Sequence, residues 1–215
     1  MARTAPFEAH HQRYEIWFQK HPAAYMSELL ALRPFVPYEG HGLEIGVGSG
    51  RFGGPLGIKI GLDPSPAMLA YAAARGIAVV AGTAENLPFK DQTFDHALVV
   101  TTICFVDSAA EMLAEAHRVL KPGGRLVIGF IDRQSAIGRD YLAHQAESVF
   151  YREATFYSAE EVNRLLLTAG FAIDAWAQTL AHPLPATREL EALRPGRGQC
   201  AFVVVSASRR TTKVP

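Results

Sequence analysis

The stretch Leu43-Glu44-Ile45-Gly46-Val47-Gly48-Ser49-Gly50 decides the fold. It begins as an apolar run that contains one acidic residue and ends in three glycines that alternate with small residues. Such a run predicts a buried strand that leaves its sheet through a tight turn, because glycine permits positive φ and a close approach of backbone to ligand. A glycine-rich turn between a strand and a helix is where open α/β sheets bind nucleotides.

Two interpretations of these glycines compete. Gly48-x-Gly50-x-x-Gly53 satisfies the dinucleotide pattern and favours an NAD(P)-dependent oxidoreductase. That pattern expects its acidic residue about 20 positions further on, whereas Asp63 follows after only ten. The alternative, Glu44-x-Gly46-x-Gly48-x-Gly50, keeps the acidic residue inside the strand and places the glycines directly after it.

The composition is that of an ordinary globular protein with no preference for polyanions. The chain has 215 residues, 49% hydrophobic and 20% charged, with 21 basic and 21 acidic residues, which suits one domain and disfavours a nucleic-acid binder. Cys104 and Cys200 are far apart and have no metal-ligand spacing, so we expect no metal site and a reducing cytoplasm. The N-terminal sequence predicts no signal peptide, and no apolar run predicts membrane insertion.

Hydrophobic patterning predicts helices first and then an alternation of strands and helices. The segment from Glu8 to Leu32 reads as helical, and Pro22 divides it in two. Ser65 is a suitable N-cap for a helix that ends at Gly76. Continuous apolar strands that alternate with helices predict a parallel sheet covered on both faces. The predicted strands are Leu43–Val47, Ile58–Leu62, Ile77–Val80, Phe94–Val100, Arg125–Phe130, Phe171–Ala177 and Cys200–Val205.

We divide the chain into an N-terminal helical cover at 1–37, an α/β domain at 38–206 and a flexible tail at 207–215. Residues 132–157 interrupt the alternation with many polar and aromatic side chains, and long insertions at sheet ends are typical of lids. Ser158 and Glu161 predict a capping box for the helix that follows.

Four segments, in the right order and spacing, resemble the class I S-adenosylmethionine (SAM)-dependent methyltransferases. The stretch Glu44–Gly50 resembles their first motif, and Gly61–Leu69 resembles the end of their second strand. Ala81–Phe89, followed by Phe94-Asp95, is similar to the UbiE-like group (methyltransferase type 11), and Glu115–Gly124 is similar to the helix before strand five. The resemblance implies a Rossmann-like, seven-stranded, mostly parallel sheet with helices on both faces and an antiparallel last strand between strands five and six.

The same resemblance implies SAM as the cofactor and assigns its contacts. The glycines would hold the amino-acid end, Asp63 would accept hydrogen bonds from both ribose hydroxyls, and Met68 would lie against the adenine. Thr83 departs from the family, in which an aspartate is more common there, and the short span from Gly50 to Asp63 predicts a stunted helix. The implied cofactor-binding residues are Glu44, Gly46, Gly48, Gly50, Asp63, Pro64, Met68, Thr83, Ala84, Glu85 and Thr101.

Methyl transfer mainly requires that two reactants are positioned and that water is excluded, so the sequence identifies no essential catalytic residue. Tyr14 and His144 are the candidates for such a role. The expected acceptor is a small molecule, since the sequence has neither a basic tract nor an Asn-Pro-Pro-Tyr type motif. Its expected contacts are Trp17, Phe105, Tyr151 and Tyr157. The alternatives are the nicotinamide-dependent oxidoreductase above and a non-catalytic SAM-binding protein.

Overall fold

The strands of the computed structural model, which describes residues 4–210, form one sheet of eight in that range. They are β1 (Gly42–Ile45), β2 (Ile60–Asp63), β3 (Ala78–Ala81), β4 (Phe94–Val100), β5 (Leu120–Ile131), β6 (Phe171–Thr179), β7 (Arg194–Pro195) and β8 (Phe202–Arg209). Their order across the sheet is β3-β2-β1-β4-β5-β8-β6-β7. Strands β1 to β5 pair in parallel, whereas β8 lies antiparallel between β5 and β6. The predicted α/β class and the antiparallel strand between strands five and six are confirmed.

Seven α-helices of the described range cover the two faces of the sheet. They are α1 (Ala5–Lys20), α2 (Pro22–Leu32), α3 (Gly53–Leu56), α4 (Pro66–Ala74), α5 (Ala109–Val119), α6 (Ala136–Ala143) and α7 (Ala159–Thr168). None of them is long and apolar enough to cross a bilayer. The Ser65 cap on α4 and the Ser158–Glu161 capping box on α7 are formed as predicted.

Alternate side chains of β8 show how both faces become buried. Val203 and Val205 pack into the core beneath α5 and α7, and Phe202 and Val204 pack into the core beneath α1 and α2. All four are fully buried, as expected for a strand covered on both sides.

The number of strands and the extents of β5 and β8 differ from the sequence prediction. The sheet has eight strands rather than seven, because the segment between the sixth and the last predicted strands contributes the two-residue β7. Strand β8 continues to Arg209, so its pairing with β5 and β6 extends into the segment that we predicted as a flexible tail from residue 207. Residues 211–215 of that tail lie outside the described range. Strand β5 begins at Leu120, directly after α5, because Leu120 already pairs with Phe94.

The stunted helix predicted after the glycines is confirmed. Helix α3 has only four residues and ends at Gly57, which adopts a left-handed conformation with φ +86°. The turn that precedes α3 therefore lacks the long helix N-terminus that binds pyrophosphate in dinucleotide-binding folds.

Candidate functional site

A cavity of about 170 Å³ lies where the parallel strands end. Gly46 follows β1, Asp63 ends β2, Thr101 follows β4, and Ile131 ends β5, and all four line the cavity. Leu180 lines it from the end of β6, which runs parallel to β1–β5 because both β5 and β6 are antiparallel to β8. The topology therefore brings residues from distant parts of the chain to one edge of the sheet.

The three glycines after β1 have different surroundings. A Cβ atom on Gly46 would lie 2.3 Å from the side chain of Thr102, and one on Gly50 would lie 2.8 Å from Ile77. At Gly48 the nearest atoms would be 3.5 Å or more away, so its backbone is open to the cavity. Gly46 and Gly48 line the cavity, whereas Gly50 instead permits close packing against α4. All three have positive φ, which glycine adopts without strain.

Glu44 lies behind this turn rather than at the cavity wall. Its carboxylate accepts a hydrogen bond from the Gly53 amide at 2.9 Å and is buried. A Cβ on Gly53 would lie 2.3 Å from the same carboxylate oxygen, so this glycine makes room for Glu44. Burial raises the pKa of Glu44 well above its usual range. Glu44 therefore shapes the turn from behind, and the third glycine of the dinucleotide pattern serves an internal contact.

Asp63 connects the turn to the next helix. One carboxylate oxygen accepts a hydrogen bond from the Gly48 amide at 2.9 Å, and the other accepts one from the Ser65 amide at 2.9 Å. Each oxygen keeps a further lone pair, and Asp63 lines the cavity together with Pro64 and Met68. Burial raises the pKa of its carboxyl. This arrangement suits a carboxylate that accepts hydrogen bonds from a diol.

The turn after β3 contributes two of its three predicted residues. Ala84 and Glu85 line the cavity, and the Glu85 carboxylate accepts a hydrogen bond from the Asp107 amide at 2.7 Å. Thr83 is not among the lining residues and instead forms a backbone bridge with Asn86. Adenine contacts at this turn would therefore come from its backbone and from Ala84.

Thr101 occupies a strained position at the end of β4. Its φ is +51°, and its amide donates a hydrogen bond to the Gly129 carbonyl at 2.7 Å. A non-glycine residue in this region costs on the order of 1–3 kcal/mol, and such strain is concentrated at functional sites. Leu180 has φ +64° and lines the same cavity.

Aromatic side chains from α1 and the inserted segment close over the cavity. The Phe7 ring lies 4.9 Å from Phe105 and 5.3 Å from Phe150, and Tyr14 lies 5.9 Å from Phe150. Trp17 also lines the cavity. Neither Phe7 nor Phe150 was predicted, because their contact joins residues more than 140 positions apart, and no local pattern signals it.

Ion pairs and hydrogen bonds hold α1 in this closed position. The Glu15 carboxylate contacts Arg51 and Arg75 at 2.6 Å each. Glu8 accepts hydrogen bonds from the Ser65 hydroxyl at 2.5 Å and from the Ala67 amide at 3.1 Å. The helical cover is therefore attached to the same turn and helix that form the cavity.

The three predicted site residues of the inserted segment lie in different places. Tyr151 lines the cavity and stacks on Phe105 with 5.5 Å between ring centroids. Tyr157 lines a different, smaller cavity behind Thr101. His144 is exposed, and its ring contacts Asp140 one helical turn away, so the structure places it outside the cavity. Of the two catalytic candidates, the structure brings only Tyr14 to the cavity.

Glu28 is a buried carboxyl residue on the cavity wall that the sequence patterns did not predict as a site residue. It lies on α2, lines the cavity and is only 6% exposed. The available signal was its position on the buried face of α2, four residues after Ala24 and four before Leu32, which are both buried.

The charges of the described lining residues test which cofactor fits. They include the carboxyl groups of Asp63 and Glu85 on the cofactor side and no lysine or arginine. A site of this kind favours a cation and disfavours a pyrophosphate. SAM carries a sulfonium cation, so the cavity suits SAM and not a nicotinamide dinucleotide.

Comparisons with known proteins agree with this geometry. Residues 43–128 match the family model described as "Methyltransferase domain". An uncharacterized protein of Methanocaldococcus jannaschii is 41% identical over 203 residues, which cover 94% of this chain and 98% of that protein. Demethylmenaquinone methyltransferase of Corynebacterium kroppenstedtii is 41% identical over 71 residues, which cover 33% of this chain and 31% of that enzyme.

A solved structure from Thermotoga maritima matches nearly the whole chain. It is named as a SAM-dependent methyltransferase and possible histamine N-methyltransferase. The two share 48% identity and superpose with a TM-score of 0.93, covering 96% of this chain and 99% of that one. The nicotinamide interpretation of the glycines is therefore wrong. The chain belongs to the SAM-dependent methyltransferase family, and its cofactor is SAM.

Proposed function

We propose that this protein transfers a methyl group from SAM to a small-molecule acceptor that binds inside the covered cavity. The observation that carries the proposal is that one cavity runs from Gly48 and Asp63 to an apolar wall. Ile131, Ile137 and Leu184 form this wall. The first part offers backbone and carboxylate contacts, whereas the second offers surface for an apolar acceptor.

Residues on the cofactor side have distinct proposed tasks. Asp63 accepts hydrogen bonds from the ribose, Gly48 leaves backbone open beside the amino-acid end, and Met68 packs against the adenine. Glu44 and Gly50 support the turn without contact, and Thr83 contributes little. Bound SAM supplies a methyl group that is already activated as part of a sulfonium.

The cover has the task of excluding water. Phe7, Tyr14 and Phe150 meet above the cavity, and Trp17 and Phe105 extend this apolar surface. A dry site strengthens the electrostatic contacts within it and positions the acceptor for an in-line displacement. The proposed division follows: residues 4–37 act as a cover, residues 38–209 bind the cofactor, and residues 132–157 within them act as a lid.

The cellular setting is also part of the proposal. Neither Cys104 nor Cys200 forms a disulfide, and both are buried, which suits a reducing compartment such as the cytoplasm. The Thermotoga maritima protein is named as a possible histamine N-methyltransferase, so histamine belongs in a panel of candidate acceptors.

Two measurements test the proposal. Isothermal titration with SAM, S-adenosylhomocysteine (SAH) and NADH should show micromolar binding of the first two only. Asp63→Ala should abolish this binding, whereas Asp140→Ala removes a 72% exposed carboxylate and should leave it unchanged. SAH release should then be detected with at least one acceptor from a panel of amines, phenols, thiols and carboxylic acids. SAM binding without any turnover would favour the non-catalytic alternative, and tight binding of NADH without SAM would refute the proposal.

A further inference from the structure

Glu28 is a buried carboxyl group that has no partner among residues 4–210. No described residue forms a hydrogen bond or an ion pair with its side chain, although only 6% of the residue is exposed. Burial alone raises the pKa of Glu28 to about 8. Burying a carboxyl without a partner is unfavourable, and such groups in proteins are normally hydrogen-bonded. A group of this kind that borders a cavity indicates a ligand that supplies the missing partner.

Aromatic rings surround the cavity on the Glu28 side. Tyr14 approaches from α1, Tyr141 from α6 and Tyr151 from the turn that follows, and all three line the cavity with Glu28. Burial is the main cause that raises the pKa of each tyrosine hydroxyl, and the negative charge of Glu28 contributes further. The three hydroxyls therefore stay neutral. A carboxylate beside aromatic rings is a typical environment for an organic cation.

Glu28 lies on the acceptor side of the cavity. Leu32, one helical turn further along α2, packs against Gly129 of β5 and against β8. Asp63 ends β2, and β1 and β4 separate β2 from β5. Neighbouring strands are about 4.8 Å apart, so about 14 Å separates β2, which carries Asp63, from β5, which lies beneath α2. The carboxyl group is therefore placed to contact an acceptor rather than the ribose.

We propose that Glu28 binds the nitrogen of a small amine acceptor and accepts the proton that this nitrogen must lose. The inference rests on the proposed function, and it names the acceptor class as amines that carry an apolar or aromatic body. It also explains why a glutamate occupies the buried face of α2.

The proton balance of the reaction fits this role. An ammonium nitrogen has no lone pair, so it first gives one proton to the Glu28 carboxylate. The neutral nitrogen then uses its lone pair to form a bond to the methyl carbon, while the carbon–sulfur bond breaks and its electron pair stays on sulfur. The methylated product is an ammonium ion, and the Glu28 carboxyl returns its proton to solvent when the product leaves.

Matched probes can separate recognition of the amine from recognition of the apolar body. We suggest three arylalkylamines (2-phenylethylamine, tyramine and histamine), each paired with the alcohol that replaces its primary amine. Titration into the SAH-saturated protein should show at least one amine that binds about tenfold or more tightly than its alcohol. Glu28→Gln should remove this preference and leave SAH affinity unchanged. Glu39→Gln, which changes an exposed glutamate, should retain the preference.

The pH dependence of amine binding provides a second readout. Ionised Glu28 is needed to hold an ammonium, so affinity should rise at least about tenfold between pH 6 and pH 8 in the wild type and less than twofold in Glu28→Gln. The other titratable groups that line the cavity are the tyrosines above, Asp63, Glu85 and His182. A His182→Asn variant should keep the pH dependence.

Thermal unfolding distinguishes a binding role from a structural one. When folding raises the pKa of a carboxyl group, the protein loses stability as pH rises from the unfolded pKa of that group toward its folded pKa. Glu28→Gln should therefore have a Tm at or above that of the wild type at pH 8, with a smaller difference at pH 5. Equal binding of every amine and its alcohol, or equal loss of both in Glu28→Gln, would overturn the inference. Failure to bind SAH would instead refute the proposed function.

Discussion

Gly46→Ala should destabilise the fold more than Gly57→Ala, which provides a matched control. Both glycines have positive φ, +72° at Gly46 and +86° at Gly57. A Cβ on Gly46 would lie 2.3 Å from Cγ2 and Oγ1 of Thr102 and 2.8 Å from its Cβ, whereas a Cβ on Gly57 would meet nothing within 4 Å. Thr102 cannot turn away freely, since its hydroxyl donates to the Gly46 and Val100 carbonyls at 3.2 and 3.1 Å.

The expected magnitudes follow from these distances. An alanine at either position costs about 1–2 kcal/mol for the left-handed backbone. Gly46→Ala adds a packing cost of about 1–3 kcal/mol, because neither the threonine Cβ nor the backbone can move easily. In a chain of this size, 1 kcal/mol shifts Tm by about 2–4 °C. Gly46→Ala should therefore unfold about 2–12 °C below Gly57→Ala.

Thermal unfolding monitored by circular dichroism, together with SAH titration, measures both consequences. Gly46→Ala should lower SAH affinity about tenfold or more, because the displaced loop includes Gly48, whereas Gly57→Ala should leave it within twofold. Adding Thr102→Ala to Gly46→Ala should restore part of the lost stability, with a coupling energy of about 1 kcal/mol. Equal Tm values for the two glycine variants would refute the steric argument.

Three further substitutions test other parts of the site and fold. Asp63→Asn replaces one acceptor oxygen with a donor, so SAH affinity should fall about 10–100-fold by calorimetry; unchanged affinity would exclude Asp63 from the ribose site. Thr101→Gly should be more stable by about 1 kcal/mol than Thr101→Ala in urea unfolding, because only glycine relieves the positive φ; the reverse order would show that no strain is stored there. The hydrogen bond from Arg118 lowers the pKa of Glu115. The ionised Glu115 carboxylate therefore stabilises the fold at pH values above its unfolded pKa, and this stabilisation is lost as pH falls through its folded pKa. Glu115→Gln should thus lose about 1–2 kcal/mol at pH 7, and this loss should shrink progressively as pH falls below the unfolded pKa of about 4.3, whereas a constant loss down to the acid end of the titration would contradict an ionic contribution.

The sequence anticipated the cofactor side of the cavity better than the acceptor side. Glycines 46 and 48, Asp63 and Met68 belong to short local patterns in which strand, turn and helix follow one another. Their relative positions are therefore largely fixed by chain geometry. The roles within the pattern still needed coordinates, since Glu44 and Gly50 support the turn from behind. No local pattern revealed that Thr83 faces away from the cavity.

The sequence by itself determined the alternation of strands and helices, the glycine turn and the stunted α3. These features depend on hydrophobic periodicity, on proline and glycine, and on order along the chain, whereas the antiparallel direction of β8 was implied only by the family resemblance. Only the tertiary structure decided which side chains share the cavity. Phe7 meets Phe150, and Glu28 of α2 lines the same cavity as Tyr141 and Tyr151, because the cover and the inserted segment fold over the same edge of the sheet. Contacts between segments so far apart depend on packing in three dimensions, and the absence of a partner for Glu28 among residues 4–210 becomes visible only in the folded structure.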